Sequence, residues 1–290
     1  MTLKYALIIG SNYFNTESEL RGCINDTKMI RRFLLQNGYN KDNICVLRDD
    51  DNGTIAYMKD KIKNIRPTKE NILLSLTTMI ELSNKNINVE LFLYYSGHGA
   101  SIKDINKDEK DGKDEVIIPC DFQINGYIID DQIRKIIGKL KQQNKLYCLM
   151  DCCHSATSLD LPFVYEYEKN KKSLILKENN STKYPELVGK NIFVISGCRD
   201  NQTSSDLGSI YVVDSKTDNI DKNDIINVNQ TGGGALTSNI LKCWKTNIGD
   251  IQNVYKLLIT PEFTKKFTQY PVFSSCVEIK NNKELECVIV

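Results

Sequence analysis

The chain has 290 residues, with 38 lysines and arginines against 37 aspartates and glutamates, and a formal net charge of +1. So even a balance excludes a general electrostatic field for nucleic acid or an acidic membrane surface, and any charge selectivity has to be local. The N-terminal MTLKYALIIGSNYF is apolar only from Tyr5 to Gly10, too short for a signal peptide, and no later run approaches the roughly 18 residues a membrane span needs.

A soluble, cytoplasmic protein is expected, with most of its ten cysteines reduced. Cys45, Cys148 and Cys243 sit inside apolar periodic segments, where a free thiol behaves as a small hydrophobe. No CxxC pair occurs, which leaves a zinc ribbon or a thioredoxin-like motif unsupported.

In chain order, KYALIIG (4–10) reads as a buried strand, followed by the polar turn SNYFNTESELRG and a helical pattern through Ile30, Phe33 and Leu34. NICVLRD (43–49) is a second strand. TKENILLSLTTMIELSNKN (68–86) is a helix entered through Pro67 and a capping Thr68. NVELFLYYSGHG (88–99) is a continuous apolar strand of the kind buried on both faces, and YIIDDQIRKIIGKLKQQN turns helical at Asp130. KLYCLMD (145–151) and KNIFVISGC (190–198) are further strands. Beyond a polar insertion at 207–231, GGGALTSNILKCWKTN reads as a helix and YPVFSSC (270–276) as a last strand.

Two stretches read as irregular, the charged 99–115 and the Asn- and Asp-rich 216–234, and a third, 165–183, divides a larger front part from a smaller back part. Strand and helix alternating in this way predict one α/β unit over 1–290, with a central, mainly parallel sheet and helices on both faces. Within it, 1–164 and 190–290 read as two regions joined by a linker at 165–189. In such sheets ligands bind outside the carboxyl ends of the strands, so the end of each run matters most.

Both histidines of the chain follow directly on a strand end, His98 in YYSGHG and His154 in DCCHS. If the two strands are parallel neighbours, a thiol and an imidazole meet at one rim. Side chains alternate along a strand, so Asp151 and Cys153 share a direction and Cys152 takes the other. A carboxylate is expensive to bury unpaired, so the face of Asp151 is expected to be the solvent-facing one, which selects Cys153 as nucleophile. His98, flanked by Gly97 and Gly99, is the general-base candidate of a nucleophile–base dyad. A zinc site from His98, Cys153 and His154 lacks a fourth ligand at a suitable spacing. Ser96 and Ser155 lie outside any G-x-S-x-G elbow.

YYSGHG, DEVIIPCDF, YIIDDQI, DCCHSATSLDLPF and VISGCRDNQTSSD, in this order and spacing, resemble the metacaspases, members of the caspase-like clan of cysteine peptidases. The resemblance implies a caspase-like α/β sandwich and an endopeptidase cleaving after Arg or Lys. It implies Cys153 as nucleophile, His98 as its partner, and the backbone N–H groups of Gly99 and Cys153 as oxyanion donors. Asp26, Ser96 and Asp151 match the family's basic-side-chain pocket. For Asp26 a favourable charge at a helix N-terminus is an equal explanation.

Calcium activation is also implied, at positions matching Asp114, Asp130, Asp131 and Asp160; clustered carboxylates suit a hard cation, although Asp130 and Asp131 also fit a helix start. The implied partners are protein or peptide substrates with basic residues, and the expected state is a monomer. Ala156 stands where the family usually has Gly. The Pro- and Gln-rich region that often precedes the family's core is not found here, so control by a prodomain is not expected. Lysines in EKNKK (168–172) suit self-cleavage, and a solvated loop explains them as well. The rivals are a catalytically silent caspase-like scaffold and a peptidase selecting Asp, which would need a cationic pocket.

Overall fold

The computed structural model describes residues 2–62, 64–103, 112–152, 159, 161–168, 173–197 and 271–279, with short pieces at 206–207, 233–234, 236–237 and 240–241. The chain opens with β1 (Lys4–Gly10), α1 (Cys23–Gln36), β2 (Ile44–Arg48), α2 (Lys69–Ser83) and β3 (Glu90–Ser96). Then come β4 (Gly99–Lys103), β5 (Lys113–Ile117), the short α3 (Phe122–Asn125), β6 (Ile128–Ile129) and α4 (Asp130–Ile137). The remaining elements are β7 (Lys145–Asp151), β8 (Phe163–Glu168), β9 (Ser173–Asn179), β10 (Asn191–Ser196), β11 (Asp206–Leu207), β12 (Gly233–Gly234) and β13 (Val272–Ser275).

Eight strands form the central sheet in the order β2-β1-β3-β7-β10-β13-β8-β9. The pairs from β2 through β10 are parallel, and β13, β8 and β9 complete the sheet antiparallel. Alternation along the apolar strands sorts side chains to two faces. Ala6, Ile8, Phe92, Tyr94, Tyr147 and Leu149 pack with Met29, Ile30 and Leu34 of α1. Leu7, Ile9, Leu91, Leu93, Cys148 and Met150 pack with Leu76 and Met79 of α2 and Ile133 and Ile137 of α4. The expected helices on both faces of a large sheet are therefore present.

Local chemistry starts the elements where the sequence pointed. Thr68 precedes α2 and its Oγ1 accepts from the Asn71 N–H at 3.2 Å, tying down a donor that a helix start leaves unpaired. α4 begins at Asp130 as expected. The six cysteines among the described residues are free thiols, and burial pushes those of Cys45 and Cys276 up to about 12, as befits core side chains.

Two readings, one of an irregular loop and one of a linker, are corrected. The 99–115 stretch supplies β4 and part of β5, which with β6 form a separate three-stranded sheet. The 165–189 stretch, read as a linker, carries most of the β8–β9 hairpin that extends the central sheet to its edge. Charged residues at alternate positions of β8 gave it the composition of a loop, while Phe163, Val164 and Tyr165 are buried.

The register of β3 against β7 is clamped at its start. Asn144, fully buried, accepts from the Val89 N–H at 3.0 Å and donates to the Ser83 carbonyl at 3.0 Å. The Lys145 N–H then donates to Val89 O at 2.9 Å. Asn144→Ala takes its acceptor from the buried Val89 N–H and one of two donors from the Ser83 carbonyl, which keeps the Asn86 N–H at 3.1 Å, and the expected loss is about 2 kcal/mol, measured as a lower urea midpoint at unchanged m-value.

Candidate active site

β3 and β7 run side by side from the pair Glu90 and Lys145 to the pair Ser96 and Asp151, where both end. His98 lies two residues past Ser96, and Cys153 lies two residues past Asp151. Cys153, His154, Ser155 and Ala156 lie outside the described residues, as does Asp160. Cys152 is buried, in line with its expected core position.

His98 is half-buried and held on several sides. Its Nε2 lies 2.7 Å from the Ser18 carbonyl. A carbonyl only accepts, so this contact assigns the hydrogen of the neutral ring to Nε2 and leaves the Nδ1 lone pair for a proton. The Tyr13 ring lies against the imidazole, centroids 4.8 Å apart and planes 35° apart. Gly97 is required by close approach: a Cβ there would stand 2.7 Å from the hydroxyls of both Tyr13 and Tyr95. The space that the missing side chain leaves is filled by the two phenols. Gly99 opens β4 opposite Ile117.

Asp26, Ser96 and Asp151 do come together. Asp26, in the first turn of α1 and fully buried, accepts from Ser96 Oγ at 3.1 Å. Asp151 is 4% exposed, which corrects the expectation of a solvent-facing carboxylate. Hydrogen bonds take the place of water: its Oδ2 accepts from the Thr237 N–H at 3.0 Å and from Thr237 Oγ1 at 2.7 Å. Tyr94 OH lies 2.6 Å from the same threonine hydroxyl. Burial pushes the Tyr94 phenol well up, and the charges of Asp26 and Asp151 add to that. Two acidic side chains are thus set beneath the ends of β3 and β7. Neither Tyr94 nor Thr237 stands out by residue pattern: one reads as strand core, and the other arrives from more than eighty residues away.

Asp114 on β5 and Asp130 and Asp131 at the start of α4 are all buried. Asp130 Oδ1 accepts from the Asp131 N–H at 2.8 Å and its Oδ2 from the Glu115 N–H at 3.4 Å, so Asp130 does serve the helix start. Asp131 is ion-paired with Arg134, and with Lys135 at 3.5 Å. Arg134 also lies over the Tyr184 ring, 4.0 Å from its centroid. Among the described residues, no group of three or more His, Cys, Asp or Glu side chains is gathered to hold a metal ion. The donors are nonetheless of the hard oxygen type that calcium takes.

Residues 4–162 match the family model described as the metacaspase, peptidase C14 domain. The chain belongs to the metacaspase family. It is 42% identical over 177 residues to Metacaspase-1 of Eremothecium gossypii, covering 60% of this chain and 36% of that protein. Metacaspase-1 of Sclerotinia sclerotiorum is 41% identical over 180 residues, 61% of this chain and 38% of that protein. Metacaspase-1 of Meyerozyma guilliermondii is 37% identical over 244 residues, 70% of this chain and 57% of that protein. The chain therefore spans well under two thirds of the length of these metacaspases. A crystal structure of a Geobacter sulfurreducens protein shares the fold, with a TM-score of 0.58 at 19% identity over 96% of this chain and 95% of that one. No helix among the described residues of this metacaspase is long and apolar enough to cross a membrane.

Thr237→Val removes both side-chain bonds of that threonine while keeping its shape, leaving buried Asp151 and Tyr94 each short of a partner. The expected loss is about 2 kcal/mol of stability, read by urea denaturation, with Thr237→Ser largely restoring it.

Proposed function

We propose that this metacaspase is a cysteine endopeptidase that cleaves after Arg or Lys, with Cys153 as nucleophile and His98 as general base. The observation that supports it is the β3–β7 register: the two residues stand equally far past a directly paired Ser96 and Asp151. Adjacent parallel strands are about 4.8 Å apart, so chains leaving them in step begin as neighbours.

His98 Nδ1 takes the proton of Cys153 Sγ, and the thiolate attacks the scissile carbonyl carbon. The backbone N–H groups of Gly99 and Cys153 stabilise the resulting oxyanion. As the C–N bond breaks, His98 returns the proton to the leaving amine. It then deprotonates the water that hydrolyses the acyl-enzyme. The Ser18 carbonyl supports this cycle, because it bonds Nε2–H in the neutral ring and stabilises the imidazolium once both nitrogens are protonated.

Selectivity for Arg or Lys is supported by Asp26 and Asp151, two buried carboxylates beneath the same strand ends, where a cationic substrate group has little competition from water. An Asp-selective site would need the opposite charge. We further propose that the enzyme acts as a cytoplasmic monomer on proteins or peptides carrying basic residues. Calcium is proposed as an activator held by Asp114, Asp130, Asp131 and Asp160. Such binding requires Asp131 to exchange Arg134 for the cation.

Cys153→Ala is expected to abolish cleavage of an Arg reporter peptide, with the Asp reporter untouched by either protein. Full residual activity rules out the nucleophile, and an intact wild-type chain that is not labelled at Cys153 by an Arg-ended thiol-directed inhibitor is a scaffold. Asp151→Asn is expected to lower kcat/KM for the Arg reporter by about 100-fold, checked alongside a neutral reporter that should change little. Calorimetric titration should show calcium binding that Asp130→Asn removes; no heat with the wild-type protein takes calcium out of the mechanism.

A further inference from the structure

The turn SNYFNTESEL, polar in composition, is folded around His98. It is fastened to the sheet by the Ser11 N–H donating to Ser96 O at 3.0 Å, and closed on itself by the Leu20 N–H donating to Asn12 O at 2.7 Å. The carboxylate of Asp49, just past β2, accepts from the N–H groups of Asn12 at 3.0 Å and Tyr13 at 2.7 Å. Tyr13 itself takes a left-handed backbone, φ 53°, an uncommon conformation for a bulky residue that surrounding contacts must hold. Those contacts deliver a large aromatic side chain, 3% exposed, to the far side of the imidazole.

At its tip, Tyr13 joins Tyr95 in bracing the backbone at His98. The Tyr13 hydroxyl donates to Ile118 O at 2.6 Å and accepts from the His98 N–H at 2.9 Å. The Tyr95 hydroxyl donates to His98 O at 2.7 Å and accepts from the Ile118 N–H at 3.2 Å. The two oxygens are 3.1 Å apart. Two phenols thus engage both the amide and the carbonyl of the same residue. Burial raises both well above the usual phenol range, so both remain protonated donors across the working pH of the protein.

We propose that Tyr13 is a positioning residue for His98, its hydroxyl fixing the backbone and its ring fixing the plane of the imidazole, so that Nδ1 is kept available as the base while Nε2 is bonded to Ser18. This rests on His98 being the general base. Tyr13 touches neither substrate nor the reacting atoms in this role; it acts through His98. A side chain serving only the core would have no reason to bond the backbone of His98 and lie along its ring at once.

The test uses imidazole 15N NMR on the full chain, which is simple because there are two histidines, and a His154→Asn variant assigns the spectrum. Wild type is expected to show neutral His98 as the Nε2–H tautomer. Tyr13→Phe keeps the ring and loses the hydroxyl, and kcat for the Arg reporter should fall by about 10-fold with KM nearly unchanged; Tyr13→Leu loses both, and the fall should be about 100-fold with mixed tautomers at His98. Should Tyr13→Leu not fold, Tyr13→Phe carries the test by the same two readouts. Wild-type kcat with an unshifted His98 spectrum overturns the proposal, as does a lower kcat with an unshifted spectrum. A shifted spectrum with undiminished cleavage leaves Tyr13 as the residue that sets the imidazole and overturns instead the assignment of His98 as base.

Discussion

The register in which β3 lies beside β7 decides which residues share the carboxyl edge of the sheet. Seven successive pairs, from Glu90 with Lys145 to Ser96 with Asp151, carry it along the whole length of both strands. A slip of one residue would turn every side chain of one strand to the opposite face, sending Tyr94 and Ser96 away from α1 and Asp26. The buried Asn144 fixes one end of this pairing, and the two apolar faces fix the rest, since each tolerates one alternation only. What happens at the rim is therefore set by packing well below it.

Burying carboxylates at that rim runs against their solvation, and each accepts specific hydrogen bonds that offset part of this cost. Asp26 has the hydroxyl of Ser96 and the first turn of α1, where the helix dipole favours a negative charge. Asp151 has the amide and hydroxyl of Thr237. The helix-start explanation for Asp26 does not exclude the pocket role we propose, because the same residue stands in the first turn and also bonds Ser96. Two carboxylates in a desolvated setting form an environment in which an Arg or Lys side chain gains most, which is the physical basis of the specificity we propose.

Much of this was readable from residue order because the parallel half of the sheet is built from continuous apolar runs ending in polar residues. β1, β3, β7 and β10 follow from period and composition, and His98 and Cys153 stand out by following such runs. The β8–β9 hairpin was not readable, because Glu166 and Glu168 at alternate positions of β8 and the Lys177–Glu178–Asn179 end of β9 give it the composition of a loop. The support around His98 was equally hidden. Tyr13, Ser18 and Asp49 belong to turns, where nothing in period or propensity tells a structural side chain from a solvated one, and their meeting at His98 depends on contacts spanning thirty to eighty-five residues. Thr237 illustrates the same limit, since a buried partner for Asp151 has to exist but its position in the chain is set by tertiary structure.

The pairing of Cys153 with His98 is tested most directly by the pH dependence of Cys153 alkylation, mapped by mass spectrometry in the wild-type protein and in His98→Gln. A thiol paired with an imidazole becomes thiolate well below the ordinary thiol pKa of about 8.5. Wild-type Cys153 is expected to react rapidly near neutral pH and to lose that reactivity in His98→Gln. The same ordinary thiol profile in both proteins would contradict the dyad.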